Sequence, residues 1–234
     1  MNIVIIGTGY VGLVTGVGLA SLGNNINFLD LDENKIQNLS NKKITFYEPG
    51  LEEYFNDDET FSRMFFSSDY ASIEWQNIDI VFVCVQTPNN LETNSVDTNF
   101  LESAIKEINN VNNDDLVITI KSTIPPYEIE KVCEKVGMDS SKLTFNPEFL
   151  REGTAVEDFF KPDRIVLGGT NNEKLNKLKE LYTDFDCEII TTDSISSQLI
   201  KYLANTYLPL RLSFVNEATR LIDYSGGNLD DVLK

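Results

Sequence analysis

Ile3-Val4-Ile5-Ile6-Gly7-Thr8-Gly9-Tyr10-Val11-Gly12 is the stretch from which the fold can be read: an apolar run stops at a glycine, and three glycines spaced G-x-G-x-x-G open a small, apolar segment over 11–22. A short unbroken apolar run ended by glycine predicts a fully buried strand, and the segment after it predicts a helix packed tightly on a sheet. Gly7 permits the tight turn, Gly9 lets a backbone approach a pyrophosphate, and Gly12 lets helix and strand pack closely. The first helical turn, with Tyr10 and Val11, presents free N–H groups and partial positive charge to phosphates. Asp30 ends the next strand, 26–30, eighteen residues after Gly12. Its carboxylate accepts hydrogen bonds from a ribose diol and repels a 2′-phosphate, so the pattern predicts NAD rather than NADP as ligand.

The same rhythm recurs outward from this unit. Strands are predicted at 79–85, 116–120, 142–145, 163–167 and 187–190, with helices near 97–110, 126–136 and 171–184. Alternation of this kind implies a doubly wound, mostly parallel α/β sheet of Rossmann type. It ends near 195, where a long helical stretch begins with Leu199, Ile200, Leu203, Tyr207 and Leu210 on apolar spacing. The expected organisation is a dinucleotide-binding domain over 1–195 and the beginning of a central helical segment over 196–234. Pro209 lies inside that helix, and an interior proline predicts a kink or break there.

Composition excludes several functions. The chain has 234 residues and 41% apolar content, enough for a core without disulfides or metal. Its formal charge of −18 argues against nucleic acid as partner. No apolar run of about 18 residues predicts a membrane span, and the start lacks the basic flank of a secretion signal, so a cytoplasmic location is expected. Cys84, Cys133 and Cys187 form no C-x-x-C pair, so no metal site is expected. The chain has no histidine, which leaves acid and base chemistry to Lys, Asp, Glu or Cys.

Lys201 and Asn205 are four apart on the predicted helix and project from one face, where an ammonium and an amide can converge on one oxyanion. Four further motifs follow strands: Gln86-Thr87-Pro88, Lys121-Ser122-Thr123-Ile124-Pro125, Asn146-Pro147-Glu148-Phe149-Leu150-Arg151-Glu152-Gly153 and Lys161-Pro162-Asp163-Arg164-Ile165-Val166. With Tyr47-Glu48-Pro49-Gly50-Leu51 and Lys201-Tyr202-Leu203-Ala204-Asn205, they make the chain resemble the UDP-glucose/GDP-mannose dehydrogenase family of nucleotide-sugar 6-dehydrogenases over essentially its whole length. The resemblance implies oxidation of a primary alcohol to a carboxylate, with two hydrides passed to two NAD molecules and a cysteine thiohemiacetal and thioester between them. The substrate it implies is UDP-glucose, giving UDP-glucuronate, and the assembly it implies is a homodimer through the central helix.

Carried over residue by residue, the resemblance places Lys35 beside Asp30 on the ribose and Thr87 near the cofactor. Thr123, Glu148 and Glu152 surround the reacting carbon and a water, with Thr123 and Glu152 also facing the cofactor and Glu152 tending the water that hydrolyses the thioester. Glu148, Phe149, Leu150, Arg151, Lys201 and Asn205 face the substrate. The acids also suit the first turn of a helix, and Arg164 suits a salt bridge near Asp163. The family's nucleophile lies in a G-G-x-C-x-P-K-D segment that this chain does not contain. The chain alone is therefore expected to bind NAD without turning over substrate, as the front portion of a longer enzyme. The alternatives are a non-catalytic dinucleotide-binding or regulatory protein, and a dehydrogenase of another nucleotide sugar such as GDP-mannose.

Overall fold

The computed structural model describes residues 1–90 and 95–232. Strands β1 (Asn2–Ile6) and β2 (Asn25–Leu29) flank helix α1 (Tyr10–Ser21). Short helices α2 (Glu33–Ser40), α3 (Leu51–Asn56) and α4 (Asp58–Ser62) lead to the edge strand β3 (Met64–Ser67). Next come β4 (Ile80–Val83), the small ribbon β5 (Asn89–Asn90) and β6 (Ser95–Val96), α5 (Asn99–Asn109), β7 (Val117–Ile120), α6 (Pro126–Val136) and β8 (Leu143–Phe145). The chain continues through α7 (Ala155–Phe160), β9 (Arg164–Gly168), α8 (Asn172–Glu180), β10 (Glu188–Thr192), α9 (Ser194–Ser225) and α10 (Leu229–Val232).

Eight strands form one sheet in the order β10-β9-β8-β7-β4-β1-β2-β3. From β1 the chain winds outward through β2 and β3 and then crosses back to β4, so a crevice opens beyond the carboxyl ends of β1 and β4. Ile3 and Ile5 enter one core and Val4 and Ile6 the other, because alternate side chains of a strand face opposite ways and helices cover both faces. This double burial is why β1 reads as an unbroken apolar run.

The expected doubly wound, mostly parallel sheet is the fold found, with one difference in strand direction. β9 meets β8 antiparallel at the pair Phe145 and Gly168, and β10 runs parallel to β9. The chain leaves β8 at the carboxyl edge, packs α7 against α1, and re-enters the sheet from that same edge, so β9 has to run the other way. Arg164, its first residue, consequently overhangs the edge where the motifs gather.

Helix α9 starts two residues before the expected position, with the Asp193 carboxylate accepting from the Ser196 N–H at 2.8 Å. Its first turns pack on β8, β9 and α6 and bury Ser197, Gln198 and Lys201. Close docking requires Gly168, where a Cβ would lie 2.0 Å from the Ser197 hydroxyl. Pro209 does not break the helix. Residues 205–217 are exposed, so water can satisfy the Asn205 carbonyl that the proline leaves without an N–H. The last two residues of the expected 196–234 segment lie outside the described residues. No helix among the described residues is long and apolar enough to cross a membrane.

Candidate functional site

Two cavities lie along the carboxyl edge. The first, about 410 Å³, is a cleft beside the glycine turn, with Gly7, Gly9, Asp30 and Lys35 on its polar side and Val85 and Phe100 among its apolar walls. Gly7 has φ +95°, and a Cβ there would stand 2.7 Å from the Cys84 carbonyl oxygen. A Cβ on Gly12 would stand 1.9 Å from the Gly7 carbonyl oxygen, whereas one on Gly9 meets nothing within 4 Å. Gly7 and Gly12 are thus small for packing, and Gly9 is small toward open space. A bare backbone at the mouth of a helix N-terminus is what a pyrophosphate needs, so the cradle fits a dinucleotide.

Asp30 is prearranged. One carboxylate oxygen accepts from the Thr8 N–H at 2.8 Å, the Thr8 hydroxyl at 2.7 Å and Lys35 Nζ at 3.3 Å, and the other accepts from the Asp32 N–H at 3.1 Å. Burial pushes its pKa up, but the Thr8 and Asp32 bonds and the Lys35 charge outweigh that and hold the carboxyl below its ordinary value. The acid is therefore ionised and fixed before a ribose arrives. On the same cleft, burial, then the charges of Glu107 and Asp30, push the Tyr70 phenol up to about 12, which leaves it a neutral donor.

The second cavity, about 540 Å³, lies over β7 and β8 and is closed on one side by α9. Glu148 and Lys201 meet in it at 2.7 Å, with side chains only 13% and 7% exposed. The other Glu148 oxygen accepts from the Leu150 N–H at 2.7 Å, so the carboxylate is held from two sides. The Phe149 ring is approached by two cations, the Arg164 guanidinium 4.7 Å and Lys201 Nζ 5.4 Å from its centroid. Asn205 lines the rim one turn beyond Lys201. An ammonium already paired with a carboxylate and facing a cavity can hold a developing oxyanion without reorganising.

Thr123 shares a small recess with Lys201 and Tyr202, and its carbonyl accepts from the Thr87 hydroxyl at 2.7 Å, tying the β4 and β7 loops together. Leu150 packs on the core. Arg151 lines the cavity but commits its guanidinium to Asp158, at 3.1 Å and 2.5 Å. Glu152 is exposed and not among the residues lining the second cavity. It sits on the outward side of the turn after Arg151, where its charge raises the Tyr10 phenol pKa after the larger effects of burial and Glu48. Tyr10 and Val11 open α1 beside the first cleft. Arg164 rests its guanidinium on the Phe149 ring.

Sequence reasoning left Lys121 and Asn146 without a role. Lys121 Nζ donates to the Asn146 side chain at 2.9 Å, and that same oxygen accepts from Tyr182 at 2.7 Å. Burial lowers the Lys121 pKa. Val117, Thr119 and Lys121 alternate onto one sheet face, and this period of two was the signal that placed the lysine beneath the cavity. Cys84 and Cys133 are buried, with thiols pushed up by burial to about 12 and about 11, and none of the three cysteines lines the second cavity.

A glycine cradle, a fixed ribose acid and a second cavity holding a buried ion pair at a sheet switch point define a dinucleotide-binding domain of dehydrogenase type. The family model described as the UDP-glucose/GDP-mannose dehydrogenase family, NAD binding domain, matches residues 1–186, and the chain belongs to that family. NAD is accordingly the dinucleotide of this domain. The chain is similar to UDP-glucose 6-dehydrogenase of Rickettsia felis, 38% identical over 100% of this chain and 53% of the relative. Among solved structures it is similar to GDP-mannose dehydrogenase of Pseudomonas aeruginosa, with TM-score 0.89 and 26% identity over 100% of this chain and 56% of that one. It is likewise similar to a UDP-glucose dehydrogenase of Pyrobaculum islandicum, with TM-score 0.88 and 32% identity over 99% and 55%. The chain spans about half the length of the curated relatives it matches.

Proposed function

We propose that residues 1–195 serve as the NAD-holding domain, and 196–234 as the central helical segment, of an enzyme that oxidises UDP-glucose to UDP-glucuronate. The observation that carries this reading is the Glu148–Lys201 pair facing a cavity beside the dinucleotide cleft. Two NAD molecules bound in turn would each accept one of the two hydrides that this four-electron oxidation releases. Lys201 and Asn205 would steady the oxygen of the substrate's primary alcohol while its proton passes to water, Glu148 holds Lys201 in place, and Thr123 borders the small recess that Lys201 also lines. Glu152 on the outer turn is the residue for the hydrolytic water. Phe149, Leu150 and Arg151 belong to the segment that receives the nucleotide sugar, and Thr87 and Lys35 to the cofactor side. Relatives named for UDP-glucose support that sugar over GDP-mannose.

Calorimetric titration of the chain with NAD, NADP, UDP-glucose and GDP-mannose tests the reading. NAD is expected to bind at least about tenfold more tightly than NADP, because a fixed carboxylate repels a 2′-phosphate. Asp30→Ala is expected to weaken NAD by about tenfold or more and to erase that preference, since hydrogen bonds to a charged acceptor contribute about 1.5–3 kcal/mol. UDP-glucose is expected to bind in preference to GDP-mannose. A preference for NADP, or for GDP-mannose, would reject the corresponding half of the proposal. With no thiol lining the second cavity, the chain incubated with NAD and UDP-glucose is expected to release no UDP-glucuronate, and sustained release measured by chromatography would contradict the need for a cysteine.

A further inference from the structure

The Tyr47-Glu48-Pro49-Gly50-Leu51 motif has no part in the chemistry above, yet Glu48 is among the most buried acids of the chain, at 3% exposure. Its neighbours explain how it gets inside. Pro49 biases Glu48 toward extended backbone, Gly50 adopts φ +80° at the start of α3, and Leu51 anchors that helix in the core, while Tyr47 stays 85% exposed. The carboxylate then reaches across more than a hundred residues of sequence. One oxygen accepts from the Gly153 N–H at 2.9 Å and the other from the Ala155 N–H at 2.8 Å. Gly153 ends the 146–153 segment that carries Glu148, Phe149 and Glu152, and Ala155 opens α7 two residues later.

The other side of Glu48 faces the glycine turn. Tyr10, the first residue of α1, has a buried hydroxyl that makes no hydrogen bond of standard geometry but lies close enough to Glu48 that, after burial, the Glu48 charge and a loose hydrogen bond to it raise the phenol pKa. Its ring lies 5.7 Å from that of Phe46, two residues before Glu48. Tyr10 is also a residue of the turn whose backbone receives the pyrophosphate. A single buried carboxylate therefore stands between the backbone that grips the cofactor and the backbone that carries the substrate acids.

We propose that Glu48 is a positioning residue that couples the two cavities, so that a pyrophosphate seated on the Gly9–Val11 turn orders the 148–155 segment through Tyr10, Glu48 and the amides of Gly153 and Ala155. This rests on the NAD reading above. Charge-assisted bonds to backbone N–H groups are roughly twice as strong as neutral ones, and an amide in place of the carboxylate can accept through one atom only. Glu48→Gln thus keeps the shape and loses one of the two grips.

Hydrogen exchange resolved by residue, on the 234-residue chain with and without saturating NAD, tests the coupling. In the wild type, NAD is expected to slow exchange at Gly153 and Ala155 by about tenfold or more. Glu48→Gln is expected to exchange faster at both amides without NAD, to bind NAD within about threefold of wild type by calorimetry, and to lose the NAD-dependent slowing. A purely structural role for Glu48 would raise the basal exchange and leave the NAD-dependent slowing intact, and that result overturns the proposal. So does a wild type that binds NAD with unchanged exchange at Gly153 and Ala155, a reading available even where the variant does not fold. Absence of NAD binding in the wild type sinks the parent reading instead, and the calorimetric arm identifies that case.

Discussion

Lys201→Met is expected to destabilise the chain by about 3 kcal/mol or more, and the double variant Lys201→Met/Glu148→Gln to recover much of the loss. Removing one member of a buried ion pair leaves the other charged in a poor solvent, which costs about 3–5 kcal/mol, whereas replacing both members is often near neutral. Glu148 is 13% exposed, so water reaches it poorly, and its second oxygen already serves the Leu150 N–H. Phe149 loses one of its two neighbouring cations in either variant and keeps Arg164. For a chain of this size about 3 kcal/mol corresponds to a fall of about 6–12 °C in Tm. Calorimetric melting of the two single variants and the double variant, treated as a cycle, isolates the pair. Additive single effects, or a Lys201→Met chain that melts with the wild type, would show that the pair adds nothing to the fold and would remove the argument that Lys201 is preorganised for an oxyanion.

The parts of this molecule legible in the sequence are those in which one residue type answers one local demand. Gly7 and Gly12 answer contacts that no Cβ survives, and β1 answers burial on both faces, so each leaves a mark in a single stretch of chain. The i, i+4 spacing of Lys201 and Asn205 places both on one cavity wall for the same reason. The region between β2 and β4 left no such mark. β3 is a four-residue edge strand with only Met64 fully buried, and α3 and α4 are six and five residues long, too short for an apolar stripe to repeat. Strand direction is illegible by its nature, since Ile165-Val166-Leu167 reads alike in a parallel or an antiparallel neighbour.

The site shows the same division. Asp30 was legible from its place after β2, but its fixation by Thr8 was not, because the G-x-G pattern leaves that position open. The distant partnerships, Glu148 with Lys201 and Glu48 with Gly153 and Ala155, span from 53 to more than a hundred residues, and neither motif contains its partner. They exist because the fold brings the segment after α2, the segment after β8 and the first turns of α9 together at one end of the sheet. Topology, not local pattern, makes these pairs.

Gly12→Ala and Gly9→Ala are expected to weaken NAD binding by about a hundredfold or more in two different ways, and the contrast is the most demanding test of the cradle. At Gly12 the new methyl would lie 1.9 Å from the Gly7 carbonyl oxygen and 3.2 Å from Cys84 Cβ. The nearer contact is with backbone, so no rotamer relieves it, and α1 has to shift away from β1 by about 1.5 Å to restore an ordinary contact distance. Overpacking of a dense interior costs about 1–3 kcal/mol where side chains can yield, and here none can, so a loss of about 3 kcal/mol or more is expected together with loss of the ligand. At Gly9 the methyl meets nothing within 4 Å, and the backbone, at φ −71° and ψ −171°, is ordinary extended geometry open to alanine. Gly9→Ala should therefore melt within about 1 °C of wild type and still lose NAD by about a hundredfold, because the methyl occupies the approach of the pyrophosphate to the helix N-terminus. Melting separates the two variants and calorimetric titration unites them. A Gly9→Ala chain that binds NAD normally would place the pyrophosphate elsewhere, and with it every residue of the cleft that has been assigned by its distance from this turn.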